Sequence, residues 1–537
     1  MRISYIKNEQ TFITNTSNSD LSISKTDVGN RHTITIKAKE NIKLIDASIN
    51  VNVKLNKKDL YFLNGYQSWT DTKEFFLNEK EKNIHHCPRF VINKFAMDKY
   101  GDATFYKYSN KKLHGYDIFY AKGNNELFIY NMNFKNAYLI IELLKNKKSI
   151  NLMSDVNGLL LKKDEEFVIF DYYFFNDYKK GIESFYKTFP KKNLEKIFGY
   201  TSWYNYYQNI NETIILRDLK ALDKRFNLFQ IDDGYETFVG DWLNIDKNKF
   251  PNGLKPIVDE IHCRGYKAGI WLAPFAVEEK SETYKNHQDW LKKDKTGNLI
   301  KCGGNWSGFY ALDLDNEDAV NYIKKCLTYY MDLGFDFFKL DFLYASSLLE
   351  YDSRTRCMVQ DKAYSLLKET LKDKIILGCG ANIINSFDKF DYLRVGPDVS
   401  LEFDDVWFMR FFHRERISTK NTLQNTIYRS FFNDHLFGND PDVFLLRDNN
   451  IKLNQEQRIA LTTINALFGH VLMTSDNISN YKDEEKKILN KALELFTNAK
   501  VIEFKRNKKF VVIIYELNNC KTQLTYNTKK GVFIDER

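Results

Sequence analysis

The chain has 537 residues, 43% hydrophobic and 28% charged, with a formal charge of +8 from 79 Lys and Arg against 71 Asp and Glu. That length exceeds what one simple core serves, so two to four domains are expected. The small positive surplus is spread along the sequence, which argues against nucleic acid as a partner. Seven cysteines without a C-x-x-C pair and nine histidines without H-x-x-x-H or H-E-x-x-H spacing signal neither a disulfide framework nor a metal centre. His85 and His86 beside Cys87 are read as chance neighbours in a loop. The residues from Met1 to Glu9 lack the apolar stretch of a signal peptide, and no run is long and uncharged enough to span a bilayer. A cytoplasmic chain with no membrane partner is the expectation.

From Met1 to about Pro190, short alternating or apolar runs such as Thr33 to Lys37, Val51 to Leu55, Glu126 to Tyr130 and Phe167 to Phe170 are broken by Asn, Asp, Gly and Lys. They predict an antiparallel β-sandwich. Within it, Asn64-Gly65-Tyr66-Gln67-Ser68-Trp69 is a Gly-led turn bearing two aromatics. It reads equally as a loop whose Trp69 caps the sandwich core and as a functional loop. After Pro190 the pattern becomes apolar strand, polar turn, amphipathic helix, repeated. Strand-like runs cover 197–203, 226–232, 267–272, 334–342, 375–379, 392–396, a shorter stretch near Leu436-Phe437-Gly438, and Val471 to Thr474. Helical patterns fall between them, as from Ala319 to Leu333 and from Asp361 to Leu371. This is the size and rhythm of a (β/α)8 barrel. From about Asn480 a charged helix, Asp483 to Asn498, leads into alternating runs that begin at Lys509, predicting a small C-terminal antiparallel β-domain. The expected division is 1–190 for the sandwich, 191–479 for the barrel and 480–537 for the C-terminal unit.

The fourth strand-like run places Phe337, Lys339 and Asp341 on one face. Burying an unpaired ion costs several kcal/mol, so Lys339 and Asp341 read either as an ion pair that ends a strand or as part of a site. Barrel active sites form at the C-terminal ends of the strands. There this sequence places Trp203, Asp232 and Asp233, Trp271, Lys339 and Asp341, Cys379 and Gly380, and Arg394 with Asp398. Each has a plain reading: Asp232-Asp233-Gly234 is a common turn, and Arg394 can pair with Asp391. Together they form a ring that no packing requirement explains. Paired carboxylates with tryptophan platforms suit glycoside hydrolysis, in which one carboxylate attacks or stabilises the anomeric carbon and the other, protonated, serves the leaving oxygen. A separation of roughly 5 Å implies retention, and a wider gap inversion. Lys339 and Arg394 supply donors for hydroxyls and lower the pKa of a nearby carboxylate. No phosphate-binding glycine motif and no Ser-His-Asp arrangement is present.

These residues resemble the clan-D α-galactosidases of glycoside hydrolase family 36. The resemblance runs from Gly65-Tyr66-Gln67-Ser68-Trp69 through Trp203-Tyr204-Asn205, Asp232-Asp233-Gly234-Tyr235, Gly269 to Phe275, Lys339-Leu340-Asp341 and Gly378-Cys379-Gly380 to Arg394-Val395-Gly396-Pro397-Asp398. It implies an N-terminal β-supersandwich, a catalytic barrel and a C-terminal β-domain, and a retaining, exo-acting mechanism without metal or organic cofactor. By the resemblance, Asp341 is the nucleophile and Asp398 the acid/base. Asp232 and Asp233 bind the 4- and 6-hydroxyls of galactose, Lys339 and Arg394 sit near the 2- and 3-hydroxyls, Trp69, Trp203 and Trp271 line the pocket, and Cys379 and Gly380 shape its floor. Where many relatives carry Cys-Pro-Leu, this sequence has Ala381-Asn382-Ile383, a change near the substrate's 2-position. The implied substrate is a small α-galactoside or oligosaccharide. The alternatives are an α-N-acetylgalactosaminidase, a transglycosylase of the same mechanism, and a sugar sensor that binds without turnover. A homo-oligomer is expected where a neighbouring subunit completes such a pocket.

Overall fold

The computed structural model describes residues 1–348, 353–407 and 409–534. Two antiparallel sheets of seven strands each form the N-terminal part. In the second sheet the strands Leu60–Leu63, Ile118–Lys122 and Leu127–Asn131 are buried on both faces, which is why they read as continuous apolar runs rather than alternating ones. Along Leu127–Asn131, Leu127 and Ile129 face the first sheet, whereas Phe128 and Tyr130 join the core shared with the parallel strands that follow. Helix Tyr178–Thr188 lies on this outer face. Its approach is so close that a Cβ on Gly181 would stand 2.2 Å from the Phe128 Cβ.

The parallel strands Ile197–Thr201, Leu228–Ile231, Lys267–Leu272, Phe337–Leu340, Ile375–Gly378 and Tyr392–Arg394 pair in chain order. The seventh is broken. Gly438–Asp440 pairs with the sixth strand, and Val443–Phe444 pairs with Val471–Thr474, which in turn pairs with the first. The two ends of the sheet are therefore halves of one stretch, separated by Pro441 and Asp442, and the sheet curls back on itself. Pro441 has no N–H for a ladder, and Asp442 sits at φ 73°. The sequence reading put this strand at Leu436-Phe437-Gly438. Gly438 does open the strand, but Leu436 and Phe437 are fully buried as core side chains ahead of it, and the pairing continues through the polar Asn439 and Asp440.

The helices have clear local causes. Asn316 caps Glu317–Leu333 by accepting from the backbone of Asp318 and Ala319, with Glu317 and Asp318 favourably placed in the first turn. Its buried stripe runs Ala319, Ile323, Cys326, Leu327 and Tyr330, and Gly334 ends it at φ 101°. That stop delivers the chain into Phe337–Leu340. Between the fifth and sixth strands only a 3₁₀ turn, Ile384–Ser386, replaces the expected helix. The N-terminal part occupies the vacated flank: Phe387 packs on Phe134 and Phe189 with ring centroids 6.0 and 4.7 Å away, and Asn385 Nδ2 donates to the Phe134 carbonyl at 2.6 Å.

Helix Asp483–Asn498, grouped with the C-terminal unit in the sequence reading, packs on helix Gln455–Phe468 and buries Leu489, Ala492, Leu495 and Phe496. It thus continues the strand-helix alternation after the eighth strand. A four-stranded antiparallel sheet then covers Lys500 to Ile534. Phe504 ties this sheet down through ring contacts with Tyr428 and Phe468. No described helix is long and apolar enough to cross a membrane.

Candidate active site

The strand ends open into one cleft of about 770 Å³. Asp341 follows directly on the fourth strand, its own N–H donating to the Leu272 carbonyl at 2.8 Å. The backbone then turns sharply at Phe342, φ 54°. This turn brings the Phe342 N–H back onto Asp341 Oδ1 at 2.8 Å, while Trp271 Nε1 donates to Oδ2 at 3.1 Å. Two N–H donors fix the carboxylate and leave further lone pairs facing the cleft. Trp271 and Lys339 are register partners on adjacent strands, so both side chains point into the same interior.

Lys339 is engaged with Asp232 rather than Asp341. Its Nζ donates to Asp232 Oδ2 at 2.8 Å, and both side chains are almost wholly enclosed. Burial opposes the lysine's charge, but Asp232 and, less strongly, Asp341 favour it, and the pKa ends above the ordinary value. The same oxygen accepts from Thr201 Oγ1 at 3.0 Å and Gln230 Nε2 at 2.7 Å, so Asp232 is held from three strands. Neighbouring Asp233 accepts from Gln208 Nε2 at 3.1 Å and Trp306 Nε1 at 2.9 Å. Glu236, also buried, hydrogen-bonds Asp233, and burial raises the pKa of both. Glu236 is pushed further toward its protonated form than Asp233 and stands as the donor of the pair.

Asp398 stands across the cleft on the loop after the sixth strand, with 32% of its side chain open to the cleft. Its enclosure by protein raises its pKa; Arg394 opposes this and Asp341 reinforces it. Arg394 is the hub of this side. Nη1 donates to Asp398 Oδ1 at 2.9 Å, Nε to Asp440 Oδ2 at 3.1 Å, and Nη2 lies 2.9 Å from Asp442 Oδ1. Sequence reasoning offered Asp391 as its partner, but Asp391 accepts instead from the Ile376 N–H at 2.9 Å.

Trp69 reaches the cleft from the N-terminal part. Its loop is clamped by Arg429, fully buried, whose guanidinium donates to the Ser68 and Val395 carbonyls at 2.5 and 2.7 Å and to Asn64 Oδ1 at 3.0 Å. Trp69 Nε1 donates to Cys379 Sγ at 3.3 Å. Gly380, at φ 62°, lies under the ring, where a Cβ would come 3.0 Å from it. Asn382 does not face the cleft: its Nδ2 donates to the Tyr66 carbonyl at 2.7 Å, joining the two parts of the chain.

Of the residues singled out in the sequence, Trp69, Trp203, Asp232, Asp233, Trp271, Lys339, Asp341 and Asp398 line the cleft together. Cys379, Gly380 and Arg394 stand behind that surface and support it. Sequence reasoning missed Glu236, Trp306, Arg429, Asp440 and Asp442. Two aspartates flanking Pro441 were a readable signal of a strand-end turn, as was Gly303-Gly304 ahead of Trp306. Arg429 lies inside a helix-to-turn stretch and gave none.

A curled run of parallel strands with carboxylates gathered at their ends and tryptophans at the mouth is an arrangement that suits glycoside hydrolysis. The Melibiase family model matches residues 187–366. An α-galactosidase of Escherichia coli is 25% identical over 195 residues, 35% of this chain and 27% of that protein. The curated relatives are thus matched over much less than two thirds of their length. Among solved structures, the α-galactosidase of Thermus thermophilus in complex with p-nitrophenyl α-D-galactopyranoside superposes with a TM-score of 0.71 at 22% identity, over 93% of this chain and 98% of that one. The family 36 α-galactosidase AgaA of Geobacillus stearothermophilus does so with a TM-score of 0.62 at 12% identity, over 94% and 73%. The chain is thus similar in part of its sequence to the Melibiase family and to curated α-galactosidases, and it shares its fold with solved α-galactosidases, one of them of glycoside hydrolase family 36.

Proposed function

We propose that the protein is a retaining, exo-acting α-galactosidase that hydrolyses terminal non-reducing α-D-galactosides by double displacement. The observation that carries this reading is the pair Asp341 and Asp398, two carboxyls in one cleft with opposite surroundings. Asp341 is held by two N–H donors, whereas Asp398 is pushed toward its protonated form. An Asp341 oxygen attacks the anomeric carbon while Asp398 gives its proton to the departing glycosidic oxygen. Asp398, now a carboxylate, then takes a proton from water as that water attacks the same carbon, releasing galactose and freeing Asp341. Asp232 and Asp233, each immobilised by several donors, take the sugar's hydroxyls, and Trp69, Trp203 and Trp271 offer apolar faces to its C–H side.

The likeness to α-galactosidases in sequence and fold supports the choice of sugar. A panel of nitrophenyl glycosides tests it: α-galactoside, its 2-acetamido analogue, α-xyloside and α-glucoside. Turnover of the α-galactoside at least about tenfold faster than the others is expected, a gap of about 1.4 kcal/mol in the barrier. Binding of galactose without turnover of any of them would overturn the proposal.

A further inference from the structure

We propose that Asp442, backed by Tyr204, is a positioning residue that sets the protonation of Asp398 by sharing the Arg394 guanidinium and by holding the backbone beside Asp398. The inference rests on the assignment of Asp398 as acid/base. Asp442 is 1% exposed and follows the proline that breaks the seventh strand. Its φ of 73° is a conformation that non-glycine residues seldom adopt, and such strain collects at functional sites. The break aims the side chain at Arg394 and at the backbone beside Asp398, behind the cleft surface. Oδ2 accepts from the Val399 N–H at 2.7 Å, one residue beyond Asp398, and from the Tyr204 hydroxyl. Oδ1 faces Arg394 Nη2 at 2.9 Å.

The charged and titratable groups around Asp442 are Arg394 from the sixth strand, Asp398 from the following loop, Asp440 on its own stretch, Tyr204 from beyond the first strand and Lys339 from the fourth. Three carboxyls therefore meet one guanidinium, with Asp440 and Asp442 buried and Asp398 partly open to the cleft. Full ionisation of all three is unfavourable there, so Asp398 and Asp442 compete for the same positive charge. Asp442 is pushed up to about 7, by burial first and then by Asp398, with Arg394 opposing. An ionised Asp442 draws off part of the Arg394 charge and keeps Asp398 protonated to higher pH. Removing that negative charge leaves Arg394 free to stabilise ionised Asp398.

The test is Asp442→Asn, which keeps the shape and an acceptor for Val399. Its pH profile of kcat/KM is compared with the native profile on a disaccharide α-galactoside, whose leaving group needs a proton, and on α-galactosyl fluoride, whose leaving group needs little help. The alkaline limb is expected to move to lower pH. Near pH 7.5 the loss on the disaccharide should exceed the loss on the fluoride by about tenfold or more. Tyr204→Phe weakens the ionised form of Asp442 and should move the limb the same way by less; it carries the test if the first variant does not fold. An unmoved alkaline limb, or equal losses on both substrates at every pH, contradicts the inference and leaves the α-galactosidase reading intact. Absence of hydrolysis by the native chain contradicts both.

Discussion

The two aspartates proposed for chemistry make opposite predictions under chemical rescue. Asp341→Gly should lower kcat by about a thousandfold or more, and azide should restore turnover with β-galactosyl azide as product. Asp398→Gly with azide should give the α product instead. Product anomers read by NMR check both, and an unchanged rate in Asp341→Gly would end the assignment. Asp233 and Glu236 make a prediction about stability. Both carboxyls have raised pKa values, so the folded chain keeps a proton that the unfolded chain releases above about pH 4. Stability from this pair is therefore lost as pH rises from there through the folded values. Glu236→Gln keeps a donor toward Asp233 without a titrating proton. Its melting temperature should lie near the native one at pH 5 and rise relative to it by pH 8. Residues at strand ends were legible because charge in an apolar run is unusual, as Lys339 and Asp341 show. The partner each would choose was not: Lys339 reaches Asp232, 107 residues away, and sequence separation carries no sign of that contact.

At the level of elements, the loop bearing Trp69 depends on Arg429, which closes it against the end of the sixth strand. Arg429→Met leaves the Val395 carbonyl and Asn64 Oδ1 buried without their donor, and the Ser68 carbonyl with only the long bond from Asn425 Nδ2 at 3.4 Å. At about 1 to 3 kcal/mol for each orphaned group, the variant should lose at least about 2 kcal/mol in denaturant unfolding. If Trp69 then drifts, KM for the α-galactoside should rise more than kcat falls; unchanged stability would show that the clamp carries no weight. Regular elements were well read where local chemistry is strong. The helix predicted from Ala319 to Leu333 runs Glu317–Leu333, between an Asn cap and a Gly stop. The seventh strand was displaced because its pairing residues, Asn439 and Asp440, are polar and buried, a pattern set by the site rather than by the core. The missing helix after the fifth strand had no local signal either, since its place is taken by Phe134 and Phe189 from the N-terminal part.

For the whole molecule, the second N-terminal sheet and the parallel strands share one core, with Phe62, Tyr120 and Phe128 packed among residues of the parallel strands and their helices. Arg356 and Asp155 reinforce this junction with a two-bond ion pair at 2.6 and 3.0 Å, both side chains 5% exposed. Arg356→Met strips Asp155 of that guanidinium in a buried setting and should cost about 3 to 5 kcal/mol. Calorimetry should show a single transition moved to lower temperature; two separate transitions would mean that the parts unfold independently. The alternation of strand and helix, and the change of pattern near Pro190, were legible from periodicity. The docking of the two parts was not, because a sheet buried on both faces looks in sequence like any apolar strand. The junction matters for function because it brings Trp69 to a cleft whose carboxylates come from the other part. The proposed mechanism rests most directly on Asp341 as the residue that bonds to galactose. Incubating the protein with a fluorinated galactoside that forms the glycosyl-enzyme but releases it slowly, followed by mass spectrometry of the digested chain, measures this. One galactosyl adduct per chain, on the peptide containing Asp341, is expected. Turnover of the native substrate with no adduct, or an adduct on any other residue, would contradict it.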